Sequence, residues 1–305
     1  MSSETVNNVV QLADGEQFIR SESLFTKALR RLRHDRLTVG ATIVLLIITL
    51  LSIFAPLISD HILDVDPMRT NPRVRFLPPG SEGHVLGTDE LGRDHLGRLL
   101  YGGRISLAIG FSAAMVTLVV GMIFGLMAGY FGGIFDDLMM WVITTLNSLP
   151  TLYLLIALSA LLRPSPEMLV LVLALTGWTG DTRLIRGQTI SLRDLDYVLA
   201  ARALGASSWR IMYVHIMPNL ISIVAISLAI SIGAIILAEA ALSYLSLGVQ
   251  PPTPTWGNML TDSRAYFRQA GYLVIAPGLL ISVTVLCLYL IGDGIRDAFD
   301  PRVND

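Results

Sequence analysis

Ile105–Phe135 reads ISLAIGFSAAMVTLVVGMIFGLMAGYFGGIF, 31 consecutive residues without a charged side chain. A helix of ~20 apolar residues is long enough to cross ~30 Å of hydrocarbon. This stretch exceeds that length, and four others resemble it. The chain is also uncharged between Arg36 and Asp60, Asp137 and Arg163, Arg210 and Glu239, and Arg268 and Asp293. Met168–Gly180 is too short alone, but Pro164–Glu167 before it and Asp181–Arg183 after it bring it to spanning length. The pattern predicts an all-α membrane protein with six transmembrane helices, the first over 37–58.

Composition points the same way. Across 305 residues, 53% are hydrophobic, 15% are charged, and mean hydropathy is +0.62. Soluble domains carry roughly 25% charged residues. A net charge of −2 argues against a nucleic-acid binder that works through a basic face. Cys287 is the single cysteine, so no internal disulfide forms. Lys27 is the single lysine, and it sits in Thr-Lys-Ala. A phosphate-binding loop needs Gly-Lys-Ser/Thr, so this chain is not a P-loop ATPase.

Six spans place both termini on one side, and basic residues choose the side. Arg20, Lys27, Arg30, Arg31, Arg33 and Arg36 precede the first span. Arg183, Arg186, Arg193, Arg202 and Arg210 lie between the fourth and fifth, and Arg296 and Arg302 follow the last. These segments are expected in the cytoplasm. In 59–103, five arginines are accompanied by seven acids, and this loop is expected outside. The N-terminal stretch does not read as a cleavable signal, because its polar part and its first apolar run are both too long. Leu24, Phe25, Ala28, Leu29 and Leu32 share one helical face within 23–36. That suits a helix on the membrane surface, or simply a basic flank that fixes orientation.

The outer segments carry their own punctuation. Pro67, Pro72, Pro78, Pro79, Gly80 and Gly83 break the first half of 59–103. Thr88 to Leu100 is predicted helical, with Thr88 or Asp89 as N-cap. Pro251, Pro252 and Pro254 precede a second short helix, expected from Trp256 to Phe267. Within the spans, Gly121, Gly125 and Gly129 lie four residues apart, a spacing that admits another helix closely. That helix belongs either to this chain or to a partner.

Polar residues within the spans are scarce. Glu239 falls near one end of the fifth span, and Asp181 near one end of the fourth. Asn147 and Ser148 precede Pro150 in the third. Asn147, Ser148 and Glu239 are the candidates for a translocation path. For the first two, a bend at Pro150 with Ser148 satisfying a freed carbonyl is the favoured reading. None of the five histidines has an i, i+4 partner, and no Gly-x-Ser-x-Gly occurs. No catalytic residue, metal site or cofactor is expected in this chain.

Asp196–Asn219, DYVLAARALGASSWRIMYVHIMPN, is amphipathic. Good helix formers run from Tyr197 to Leu204, and Gly205 is a candidate C-cap. A short helix held between two turns can pass a push from a soluble partner to the spans. This stretch resembles the EAA loop of bacterial ABC importer permeases: Glu-Ala-Ala, three residues, Gly, nine residues, then Ile-x-Leu-Pro. Ala200, Ala201, Gly205 and Pro218 fall at the matching positions, Leu199 replaces the glutamate, and His215–Pro218 replaces the usual ending. GTDELGRDHLGRLLYGGRISL (Gly87–Leu107), AEAALSYLSLGVQPPTPTWGNML (Ala238–Leu260) and GDGIRDAFDP (Gly292–Pro301) resemble signatures of the C-type subunit of dipeptide/oligopeptide permeases.

The resemblance implies a type I importer permease in a bacterial inner membrane, with both termini cytoplasmic. It divides the chain into a tail (1–36), a first span (37–58), a periplasmic loop (59–103), a permease core (104–293) and a tail (294–305). The core contains a coupling loop over 182–217. Tyr197, Leu199, Ala200, Ala201, Arg202, Gly205 and Pro218 would meet an ATPase subunit. Gly87, Thr88, Asp89, Gly92, Arg93 and Asp94 would form an outer motif, either an ordered platform or a contact for the binding protein. The implied partners are a homologous B-type permease, two ATPase subunits that bind ATP and Mg, and a periplasmic or lipid-anchored binding protein. Peptides are the implied cargo; nickel chelates, glutathione and other small solutes remain open, and a stand-alone secondary transporter is the competing class.

Overall fold

The structure is a computed structural model that describes residues 24–81, 83–162 and 165–299. Arg20, Ser23, Glu82, Arg163, Pro164, Pro301 and Arg302 lie outside the described residues, as do the side chains of Leu24 and Phe25. Ten helices carry the fold: α1 (Leu24–His34), α2 (Arg36–Ile53), α3 (His95–Phe131), α4 (Gly133–Asn147), α5 (Thr151–Leu161), α6 (Pro166–Arg193), α7 (Asp196–Ala203), α8 (Ile221–Tyr244), α9 (Trp256–Ser263) and α10 (Tyr272–Phe299). Among the described residues there is no β-strand, only the isolated bridges Ser81–His84 and Thr88–Asp94. Five helical runs are long and apolar enough to cross a membrane: α2, α3, α6, Ser208–Tyr244 and α10. The pair α4 and α5 makes a sixth if taken as one span, with an 81° bend between its halves.

Local chemistry sets the helix starts. Asp35 accepts from the Leu37 and Thr38 amides at 3.1 and 3.2 Å and opens α2. Ser165 accepts from the Met168 amide and Pro166 occupies the first turn of α6, an arrangement that satisfies one orphan donor and removes another. The third span departs from a simple kink. Ser148 Oγ donates to the Thr145 carbonyl at 2.7 Å, the role expected of it. Pro150 then takes ψ 120°, outside helical space, so α4 ends and α5 starts in a new direction.

α3 lies at the centre of the packing. Gly121, Gly125 and Gly129 face α6 in matched register. A β-carbon on them would stand 2.5 Å from Asp181 Cβ, 2.8 Å from Ile185 Cβ and 2.6 Å from Thr189 Cβ. The three glycines therefore serve a contact inside this chain. Nearer its start, α3 meets α9 and α8: the same substitution at Gly103 would strike Trp256, and at Gly110 Ile236. The Trp256 indole donates to the Leu99 carbonyl at 3.0 Å. α6 continues unbroken to Arg193, so the first third of 182–217 is an extension of the span. Arg193 donates to the Gly129 carbonyl at 2.8 Å, and Arg186 forms a two-point pair with Asp136 on α4.

Candidate functional site

At the end of the bundle where α3 and α6 finish, α7 is held by one buried residue. Val198 has no exposed surface and packs with Leu118, Leu126, Ile185, Ile211, Ile216 and Leu220. Its neighbours point away from that core. Tyr197 and Leu199 are 42% and 44% exposed, Ala200 is exposed, and Leu204 is 88% exposed. Arg202 is exposed, with its guanidinium over the Tyr130 ring at 5.6 Å. Gly205 has φ +81° and closes the helix through the Gly205 amide to the Arg202 carbonyl and the Ala206 amide to the Ala201 carbonyl, both 3.0 Å. This is the left-handed turn that glycine adopts at least cost.

The chain returns to the bilayer through Ser208–Leu220, wound more loosely and then more tightly than an α-helix. Trp209 and Tyr213 stack there at 5.8 Å and 10°, both exposed. The Tyr197 hydroxyl bonds Asn219 Nδ2, and that amide also donates to the His215 carbonyl at 2.7 Å. Pro218 sits exposed in the final tight turn before α8. α7 is thus a short helix with one anchored residue, a fixed turn at each end and an exposed side on which Tyr197, Leu199 and Ala200 lie between Asp196 and Arg202.

At the opposite end, the Gly87–Asp94 motif is a turn rather than the start of a helix. The expected helix from Thr88 does not form before His95. Asp89 accepts from the Leu91 and Arg93 amides, both at 2.9 Å, and the Asp89 amide donates to the Arg93 carbonyl. Asp94 is the true cap, accepting from the Gly97 amide at 2.7 Å, and its other oxygen holds His84 Nδ1 at 2.7 Å. Thr88 is fully buried; its Oγ1 accepts from the Leu77 amide and donates to the Val74 carbonyl. Gly87 and Gly92 have φ +74° and +72° and lie against the Leu77 and Asn71 carbonyls.

This turn is fastened by ion pairs. Arg93 bonds Asp89 at 2.6 Å and Glu90 at 2.9 Å. Arg98, 2% exposed, reaches Asp89 at 3.4 Å and Asp262 of α9 at 3.8 Å. Sequence reading missed Arg98 and Asp262, which lie 164 residues apart and meet only in the fold. Burial and then the Asp89 charge push the Glu90 carboxyl above its usual range, and burial does the same to Asp262. A carboxyl with a raised folded pKa favours folding below its unfolded pKa and loses that contribution as pH rises through the folded one. Glu90→Gln is therefore expected to melt at or above the wild-type temperature at neutral pH, with the gap shrinking on acidification. A lower midpoint at neutral pH would mean that the Arg93 pair outweighs desolvation.

The three path candidates separate. Glu239 has no exposed surface; Ser243 and Ser106 donate to it at 2.7 and 3.2 Å. It ties α8 to α3 and presents nothing to a passing solute in this conformation. Asn147 and Ser148 are exposed at the α4–α5 break, where Asn147 Oδ1 accepts from Thr179 Oγ1 at 3.2 Å. No group of His, Cys, Asp and Glu suited to a metal occurs among the described residues.

Comparison with known proteins gives this geometry its family. Residues 121–305 match the model of the binding-protein-dependent transport system inner membrane component. Residues 23–79 match the N-terminal transmembrane domain of oligopeptide transport permease C. The chain is 37% identical over 281 residues to the dipeptide transport system permease protein DppC of Alkalihalophilus pseudofirmus, covering 92% of this chain and 91% of that one. It is 37% identical over 277 residues to the di/tripeptide permease DppC of Pseudomonas aeruginosa, covering 89% and 90%. It is 35% identical over 284 residues to the oligopeptide permease OppC of Bacillus subtilis, covering 93% and 92%. By these matches and its long apolar helices, the chain belongs to the C-type permeases of this binding-protein-dependent transport family, multi-pass components of the inner membrane.

Proposed function

We propose that this chain forms half of the translocation path of an ATP-driven importer of short peptides, paired with a homologous B-type permease. The observation that carries the reading is α7. It has one buried anchor, Val198, and an outer face of Tyr197, Leu199 and Leu204 that the other described residues leave exposed. That is the form of a helix seated in a groove on another protein. Two ATPase subunits, which bind ATP and Mg, supply the grooves, one for each permease. Leu199 makes the contact apolar where the family pattern places a carboxylate. The permeases named above, which move di-, tri- and oligopeptides, support peptides as the cargo.

In this reading α7 and both termini face the cytoplasm, as the basic flanks suggest. The Asp89–Arg98 turn and α9 face outward, where a loaded binding protein docks. ATP closes the ATPase pair, α7 moves with its groove, and α3 and α6 follow because their glycine seam and the Arg193–Gly129 bond join them to that end. The test is reconstitution in proteoliposomes. The isolated chain is expected to hydrolyse no ATP and move no dialanine, and the assembled complex with its binding protein to do both. Saturable ATP hydrolysis by the contaminant-free chain, or ion-driven uptake by it alone, would overturn the reading.

A further inference from the structure

A cavity of about 800 Å³ opens between α6, α8 and the end of α10. Its polar lining is Gln188, Asn219, Ser222, Ser227, Ser231 and Arg296. These positions lie on or beside helices that are otherwise strongly apolar. Elsewhere in the spans, serine and threonine hydroxyls are mostly paired. Thr182, Thr189 and Ser282 donate one turn back along their own helices, and Ser106 and Ser243 hold Glu239. In the cavity, Ser227 donates to Asp181 at 2.6 Å, and Asn219 is bonded through its amide nitrogen. The side chains of Gln188, Ser222, Ser231 and Arg296 make no hydrogen bond or ion pair with the described residues.

Four unpaired polar groups in one concavity are costly against hydrocarbon, which offers no partner. They are at ease against water or a polar solute. The outer face of α10 shows the contrast: Leu279 and Leu286 are 60% and 58% exposed, and the hydroxyl of Ser282 between them is paired with the Gly278 carbonyl of its own helix. The lining also has a chemical character. Asp181 is 7% exposed and held by Ser227, so among the described residues Arg296 is the one charge on the wall, with Asp293 in the adjoining hollow that shares Ile226, Ile230 and Arg296. Hydroxyl and amide groups both donate and accept. Such a wall pairs with any peptide backbone and selects against no side chain by charge. A lone guanidinium at the mouth attracts a carboxylate.

We propose that this groove is the chain's share of a hydrated inner vestibule, in which a peptide slides along neutral hydroxyl and amide groups and leaves past Arg296 through its carboxylate. This rests on the peptide-importer reading above. It makes Ser222, Ser231 and Arg296 the path residues, in place of the enclosed Glu239.

The experiment uses the assembled transporter in proteoliposomes, with Cys287→Ala as background and thiol reagents added on the ATPase side. Ser222→Cys and Ser231→Cys are expected to react with a charged methanethiosulfonate about tenfold or more faster than Leu286→Cys, because a thiol in hydrocarbon does not ionise. Relative to a free thiol, the anionic reagent is favoured over the cationic one, and Arg296→Gln removes that preference. The adduct at position 231 blocks dialanine uptake, and the Leu286→Cys preparation treated alike keeps it. Labelling at 222 and 231 as slow as at 286, with dialanine uptake intact, overturns the groove assignment alone. Fast labelling that leaves uptake unchanged removes the groove from the substrate's route. Failure of the unmodified background to take up dialanine counts against the peptide reading, while the labelling rates still decide whether the groove is hydrated.

Discussion

Gly125→Leu is expected to leave little folded chain in the membrane. A β-carbon at this position would lie 2.8 Å from Ile185 Cβ and 2.9 Å from the Thr182 carbonyl oxygen. One of these atoms is backbone, so no rotamer change makes room. α3 and α6 must separate, and the contacts at Gly121 and Gly129 loosen with them. Association of helices in a bilayer depends on such close packing, because lipid offers no hydrophobic drive to bring them together. Overpacking of a filled core costs roughly 1–3 kcal/mol, and forced separation along a seam lies at or beyond the top of that range. Gly187, on α6, gives the control. A β-carbon there meets nothing within 4 Å, and Gly→Ala in a helix interior gains about 0.8–1 kcal/mol of propensity. Gly187→Ala is expected to match or exceed the wild-type melting midpoint in detergent, and Gly125→Leu to fall far below it. Equal midpoints would show that the seam does not hold the bundle.

Gly92→Ala is expected to dismantle the Gly87–Asp94 turn. Its φ is +72°, and the added carbon would stand 1.9 Å from the Asn71 carbonyl oxygen and 2.7 Å from the carbonyl carbon. The left-handed conformation alone costs ~1–2 kcal/mol for a residue with a side chain, and displacing a packed neighbour adds about 1–3 kcal/mol. The Asn71 amide is itself bonded to the Leu91 carbonyl, so the strap 71–77 shifts with it. Arg93 and Arg98 then lose their fixed geometry against Asp89. Spans α6 and α8 lie outside this region and should still insert. The expected outcome is a chain that reaches the membrane, melts at a clearly lower temperature, and exposes 71–93 to protease. Wild-type protease resistance would contradict the account of this turn.

The spans were legible because hydrocarbon imposes a length and a composition that no other environment demands. The glycine spacing was legible as a close approach, but its partner was not. Gly121 reads the same whether it meets Asp181 of this chain or another subunit. The helix start near Thr88 was misplaced because Thr88, Asp89 and Asp94 are all good caps. What decides among them is the Gly92 turn against Asn71, which is a tertiary contact. Glu239 read as a candidate for the path because an acid near a span is unusual. Its enclosure depends on Ser106, 133 residues away. The serines of the groove gave no signal in sequence, since a lone serine in a span ordinarily bonds its own helix. α7 was legible in part: the helix and its Gly205 turn follow from local pattern, and the structure has both, but that Val198 is the buried anchor depends on Ile211, Ile216 and the ends of α3 and α6.

The central claim is that α7 couples this permease to an ATPase, and Gly205→Asp tests it most directly. At φ +81° with no atom within 4 Å of a β-carbon, the substitution strains the turn and leaves the core untouched. The strain costs ~1–2 kcal/mol, and a negative charge at a helix C-terminus opposes the dipole by about 0.3–1 kcal/mol. Those sums are small beside the packing of the spans, but they fall on the surface that a partner must approach. The measurement is substrate-stimulated ATP hydrolysis by the reconstituted complex, normalised to the amount of this chain in the membrane. The account predicts wild-type abundance, weak co-purification of the ATPase subunits, and loss of the stimulated rate. Assembly and stimulated hydrolysis at the wild-type level would contradict it.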